Sequence, residues 1–152
     1  LPPFYAATVQ ILECFQIKDE NTLKSKLTKA QTFIDLATKN SPNNPEILIT
    51  QALLNTAYIV FDGQKYGMSM SMKNTALYAK ALKIAPNHPR VIFSKAESDI
   101  GTARFFGQST APFCKDVKRA ISLSKEEKIT IKFYPTFLLK RAEEVLSKCE
   151  AK

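Results

Sequence analysis

The sequence predicts an all-α chain of about seven helices arranged as stacked antiparallel hairpins. Three observations carry this reading. Apolar residues recur at helical spacing along almost the whole chain. Prolines fall at the starts of the periodic segments, where the missing backbone N–H has no intrahelical partner to lose. Glycine is scarce, 4 of 152 residues, against a usual ~7%. So few glycines argue against dinucleotide loops, P-loops and turn-dense β-sandwiches. A chain of 152 residues suits a single domain over 1–152 that folds without a metal or a disulfide.

The helices are expected in the following order. Residues 3–17 are apolar on most sides. Residues 21–39 place Leu23, Leu27, Ala30, Phe33, Ile34 and Ala37 on one stripe, with Asn21 or Thr22 as the cap. Residues 45–61 are apolar nearly all round, as a central helix with several neighbours should be. A loop over 62–72 precedes a helix over 71–84 with Leu77, Ala81 and Ile84 on its stripe. Helices over 89–104, 112–124 and 135–149 follow, with Pro89, Pro112 and Pro135 at their starts as Pro45 is at the start of 45–61. The stretch 129–133 alternates like a strand but has no second strand to pair with.

The segment Ser41-Pro42-Asn43-Asn44-Pro45-Glu46-Ile47 recurs as Ala85-Pro86-Asn87-His88-Pro89-Arg90-Val91, an offset of 44 residues from Pro42 to Pro86. At the same offset Ala37 matches Ala81 and Ala52 matches Ala96. The first proline ends one helix, asparagine makes the turn, and the second proline opens the next helix. This is the pattern of repeated helical hairpins. His88 occupies the place of Asn44 and is expected to be an exposed turn residue.

On these residues the chain resembles the tetratricopeptide-repeat family. Ala30-x-x-x-Ile34-x-x-Ala37-x-x-x-x-Pro42 looks like the second half of that motif, and Tyr78-x-x-Ala81-x-x-x-x-Pro86 like another copy. The typical unit has 34 residues, and the excess here lies in the 62–71 loop. Residues 111–149 look like an irregular closing pair. The chain is also similar to small secreted or periplasmic bacterial proteins with tetratricopeptide-like units. Leu1-Pro2-x-Phe4-Tyr5-Ala6-Ala7, Gly63-Gln64-Lys65-Tyr66-Gly67, Phe106-Gly107 and Leu146-x-x-Cys149 carry that likeness. It implies a secreted or periplasmic location with the leader absent from this chain, a cytoplasmic location being the alternative. It implies no enzyme activity, and further helix before Leu1, in which case the chain would be a fragment of a longer array or have an unusual start.

The formal net charge is +8. Residues 1–114 carry 12 Lys/Arg and 8 Asp/Glu, and residues 115–152 carry 10 and 6. The basic excess is thus densest over the last 38 residues but interrupted by carboxylates throughout, as on solvated helix surfaces. Trp is absent and no nucleic-acid motif is present, so a nucleic-acid partner is not expected. No apolar run is long enough for a transmembrane segment.

The expected function is a non-enzymatic module that binds a protein or peptide. The resemblance places the first helix of each unit on a concave groove, lined by Ile49, Thr50 and Leu53 and then by Arg90, Phe93, Ser94 and Glu97. Lys65 and Tyr66 in the long loop offer a charge and an aromatic face to a partner. Phe4, Val9, Ile11, Leu12 and Phe15 make the first helix a candidate for self-association. The alternative function is a periplasmic metal- or small-ligand-binding protein that uses Met68, Met70 and Met72, whose thioethers suit Cu(I) if the segment is extended. The three cysteines are either buried free thiols or include a Cys114–Cys149 bond, which an antiparallel closing hairpin permits. No catalytic residue or cofactor is expected. His88 is the only histidine, and no nucleophile or carboxylate pair is placed for catalysis.

Overall fold

A computed structural model describes residues 2–150. Seven helices run in order: α1 Pro3–Cys14, α2 Glu20–Asn40, α3 Pro45–Phe61, α4 Gly63–Ile84, α5 Pro89–Phe105, α6 Ala111–Glu126 and α7 Leu139–Glu150. The described residues contain no strand. The chain divides into two compact units, Leu1–Ile84 and Ala85–Lys152. Within the first, α1 packs on α2, and α3 on α4. Within the second, α5 packs on α6, and α6 on α7.

The repeated turn explains both its helix starts. Asn43 takes a left-handed conformation, φ 59°, which asparagine tolerates better than most residues. Asn44 then caps α3, its Oδ1 accepting from the Glu46 N–H at 2.9 Å, and Pro45 occupies the first turn. His88 and Pro89 hold the same places at the start of α5. There the histidine makes no cap. Its Nε2 lies 2.7 Å from the Tyr134 hydroxyl, and the ring is half-buried rather than exposed. Burial first, and then the Arg90 guanidinium, hold this imidazole below its ordinary pKa, so it is neutral at physiological pH.

Helix α2 starts at Glu20, one residue before the expected 21, and its cap differs. Asp19, not Asn21 or Thr22, is the cap: its Oδ2 accepts from the Thr22 N–H at 2.8 Å and from the Thr22 hydroxyl at 2.7 Å. The core of the first unit follows the expected stripes, with Ala7, Ile11 and Cys14 of α1 against Leu23, Leu27, Ala30, Ile34 and Ala37 of α2 and Ile47, Leu54 and Ala57 of α3.

The predicted loop over 62–72 is helix. Asp62 alone separates α3 from α4, and its Oδ1 accepts from the Lys65 N–H at 3.0 Å. Gly63, Gly67 and two serines weaken helix propensity there, but tertiary contacts override it. A Cβ at Gly67 would meet nothing within 4 Å, so packing does not demand that glycine. Only Asn74, Tyr78 and Ala81 of α4 are buried. Asn74 Oδ1 accepts from Asn55 Nδ2 at 2.9 Å. Its own Nδ2 donates to the Ala52 carbonyl and the Thr56 hydroxyl, both at 3.2 Å.

In the second unit Cys114 and Cys149 form a disulfide, with Cα atoms 5.8 Å apart. Cys14 is a buried free thiol. The α6–α7 connection is longer than expected: α7 begins at Leu139, so Pro135 opens no helix. Residues 127–138 are irregular, held by Tyr134 on His88, by Arg90 Nη1 donating to the Thr136 carbonyl at 2.6 Å, and by Phe137 against Phe93 at a centroid distance of 5.6 Å.

Two stability outcomes follow from these contacts. The disulfide spans 35 residues, so its reduction should cost the second unit on the order of 3–4 kcal/mol in the chain-entropy account. Denaturant unfolding of oxidised and reduced protein, read by circular dichroism, checks this. Asn74→Ala should cost about 1–3 kcal/mol, because it strands the buried Asn55 amide. Asn21→Ala, at an exposed residue that does not cap α2, should change stability by less than about 0.5 kcal/mol.

Candidate functional site

At one end of the first unit the chain leaves α1 through a tight turn, with the Ile17 N–H donating to the Cys14 carbonyl at 3.1 Å. This turn directs Phe15, Ile17 and Lys18 toward the last turns of α3. A cavity of about 280 Å³ opens there, lined by Cys14, Phe15, Ile17, Lys18, Ala57, Val60 and Phe61. It is near the small end of ligand sites. Six of its seven lining side chains are apolar, but the surface they present is about equally polar and apolar; Val60 is 61% exposed, and Lys18 supplies one exposed cation. The Cys14 Sγ lies 3.1 Å from the Gln10 carbonyl, to which it donates. Burial pushes this thiol's pKa up; Lys26 opposes the shift and Glu13 adds to it. It is therefore a neutral thiol at pH 7, not a thiolate ligand or nucleophile.

Lys65 and Tyr66 are engaged within the unit. Lys65 Nζ lies 2.5 Å from Glu20 Oε1, the Tyr66 hydroxyl donates to the same oxygen, and Lys24 Nζ is 3.2 Å away. The Tyr66 ring packs on Tyr58 with centroids 5.0 Å apart. These contacts tie the start of α4 to the start of α2. The hydrogen bonds from Lys65, Tyr66 and Lys24 hold the Glu20 carboxyl down at about 2.

The three methionines lie on the helix that replaces the expected loop. Met68 and Met72 stand one turn apart and are 83% and 70% exposed, while Met70 is half-buried on another face. A helix separates the three sulfurs instead of converging them on one ion. Among the described residues no group of three His, Cys, Asp or Glu side chains could hold a metal ion.

The groove residues are largely occupied. Ile49 and Thr50 in the first unit are buried, and Leu53 packs against the core. In the second unit Phe93 is buried, Arg90 binds the Thr136 carbonyl, and Glu97 Oε1 lies 2.6 Å from Arg141 Nη2. Ser94 is half-buried. Of the first helix, Ile11 belongs to the core, Phe4 and Phe15 pack partly against it, and Val9 and Leu12 remain exposed.

No family model matches the chain, and no curated protein matches it. One solved structure does. The HusA haemophore from Porphyromonas gingivalis superposes with a TM-score of 0.71 at 21% identity, covering 97% of this chain and 73% of that one. The two proteins share a fold. No helix among the described residues is long and apolar enough to cross a membrane. The Cys114–Cys149 bond fits an oxidising compartment.

The cavity was not legible as a site. Its one sequence signal is Phe15 and Ile17 alternating with Gln16 and Lys18 in a segment that leads to a polar cap.

The Glu20 cluster has a defined pH signature. A carboxyl whose folded pKa is depressed stabilises the fold above its unfolded value, ~4.3, and loses that contribution as pH falls toward about 2. Glu20→Gln should therefore lower the melting temperature at pH 7, with the gap to the parent protein closing between about pH 4 and pH 2. Thermal melts of both proteins across that range check it.

Proposed function

We propose that the chain is a non-enzymatic, exported binding protein built from tetratricopeptide-like hairpins. Its ligand is a flat apolar molecule of the haem class, carried as cargo. The observation behind this is the cavity lined by Phe15, Ile17, Val60 and Phe61 with Lys18 beside them, in a chain that shares its fold with a haemophore.

The chemistry of the lining suits such a ligand in a particular way. Phe15 and Phe61 offer aromatic surface, Val60 and Ile17 aliphatic surface, and Lys18 a cation for a propionate carboxylate. A cavity of about 280 Å³ takes one edge of a macrocycle and leaves the rest outside. The lining contains neither histidine nor tyrosine, and its cysteine is neutral. Binding therefore rests on the porphyrin rim and its carboxylates rather than on the iron.

A protein or peptide partner is the second reading. Met68 and Met72 favour it, because exposed, flexible thioethers suit adaptable protein surfaces.

Absorbance titration with haem and with iron-free protoporphyrin tests the first reading. Both should bind, with similar affinity. Val60→Glu should weaken both at least ~tenfold by placing a charge on the apolar wall. Lys18→Glu should weaken both roughly fivefold. Absence of binding, or binding indifferent to Val60, overturns the assignment.

A further inference from the structure

We propose that the outer face of α4 docks an acidic amphipathic helix of a partner protein. The inference deepens the second reading above and rests on it. None of its residues lines the cavity, and all of them lie in the first unit.

What α4 buries defines the face. Asn74, Tyr78 and Ala81 are its buried residues, on the side that packs on α3. At helical spacing the opposite side carries Met68, Met72, Ala76 and Ala79. All four are exposed, Met68 at 83% and Met72 at 70%. They form a stripe about three turns long, roughly 16 Å. Its orientation is fixed, because the Asn74 amide holds the register of α4 on α3.

Charge selects the occupant. Helix α4 carries Lys65, Lys73, Lys80 and Lys83 and no Asp or Glu. Lys65 is paired with Glu20. Lys73 and Lys80 run along one edge of the stripe, and Lys83 closes its end. These three are exposed and make no ion pair among the described residues. The neighbouring carboxylates are engaged elsewhere or buried. Glu20 is held by Lys65, Lys24 and Tyr66, Asp62 accepts from the Lys65 N–H at the start of α4, and Glu46 of α3 is buried. The face is thus apolar along its middle, with uncompensated cations on one edge and at one end. A partner with apolar side chains beside carboxylates is complementary to it. A second copy of the chain would bring the same lysines and no carboxylate on this face.

Shape selects a helix. The surface of α4 has no open backbone edge to pair with an extended strand, so the partner must present side chains from a helix. Ala76 and Ala79 allow that helix a close approach, near the ~8 Å end of interaxial distances. The thioethers of Met68 and Met72 adapt to its apolar side chains. A bilayer fits less well, because the stripe has no aromatic or branched aliphatic side chain to insert.

Fluorescence anisotropy with two synthetic peptides tests this. Each is about 18 residues long, enough to form a helix, with leucines on one face. One flanks them with glutamates and the other with lysines. The full chain should bind the glutamate peptide at least ~tenfold more tightly than the lysine peptide, and lose most of that binding between about 50 and 500 mM salt. Met72→Glu should weaken it ~tenfold or more, and Lys80→Glu roughly fivefold, with melting temperatures unchanged because both residues are exposed. Lys115→Glu, on the exposed surface of α6 in the second unit, changes the net charge as much as Lys80→Glu does. It should leave binding within about twofold, which separates a site from the overall basic charge. Equal binding of the two peptides, or glutamate-peptide binding indifferent to Met72→Glu and Lys80→Glu, overturns the α4 site and leaves the protein-partner reading standing. Binding of neither peptide overturns both. Two further outcomes overturn the proposal by reassigning the face: sedimentation with phosphatidylglycerol vesicles that Met72→Glu abolishes, which assigns it to a bilayer, and a dimer that Met72→Glu dissociates, which assigns it to a second copy.

Discussion

The seating of α4 depends on one buried amide. This 22-residue helix buries little of its own apolar surface: Tyr78 and Ala81 are its only buried hydrophobic residues. Asn74, 2% exposed, contacts three groups on α3 at once. Burying an amide without partners is costly, so the sliding or rotated registers of α4 that would strand Asn74 and Asn55 are disfavoured. That register decides what else the helix presents. It brings Lys65 and Tyr66 to Glu20, and it leaves Met68 and Met72 in solvent. A purely apolar contact of the same area would hold the helix less selectively, because it penalises small rotations less.

The same constraint explains which parts of the molecule were legible in the sequence. The repeated proline turns fix helix starts through covalent geometry, and Pro45 and Pro89 behave as the sequence implies. The α1 and α2 stripes were equally plain, because a core face repeats at helical spacing. The start of α4 was hidden for a physical reason. Glycines and serines argue locally for a loop, and the contacts that make them helical come from Glu20, which is distant in sequence. Pro135 misled in the opposite direction. Its helix-starting preference was outweighed by the contacts of Tyr134, Thr136 and Phe137, which hold the chain irregular up to Leu139. The candidate site was less visible still. A cavity formed by the ends of α1 and α3 has no periodicity of its own, and the groove residues read from register were drawn into burial or internal pairing.

In the second unit, order and irregularity are placed at opposite ends. The disulfide joins the first turn of α6 to the last turn of α7. Because α6 and α7 run antiparallel, the 127–138 connection lies at the far end from that bond. With one end covalently closed, the helices do not need a short connection at the other to stay paired. A longer segment can then depart from helix, provided a few contacts brace it, and the two residues at its tip need not serve the core. The disulfide thus does more than stabilise a small unit. It permits a fold with few buried apolar side chains on α7, where only Ala142 and Cys149 are buried, to keep exposed ones at Ile131, Phe133 and Leu138.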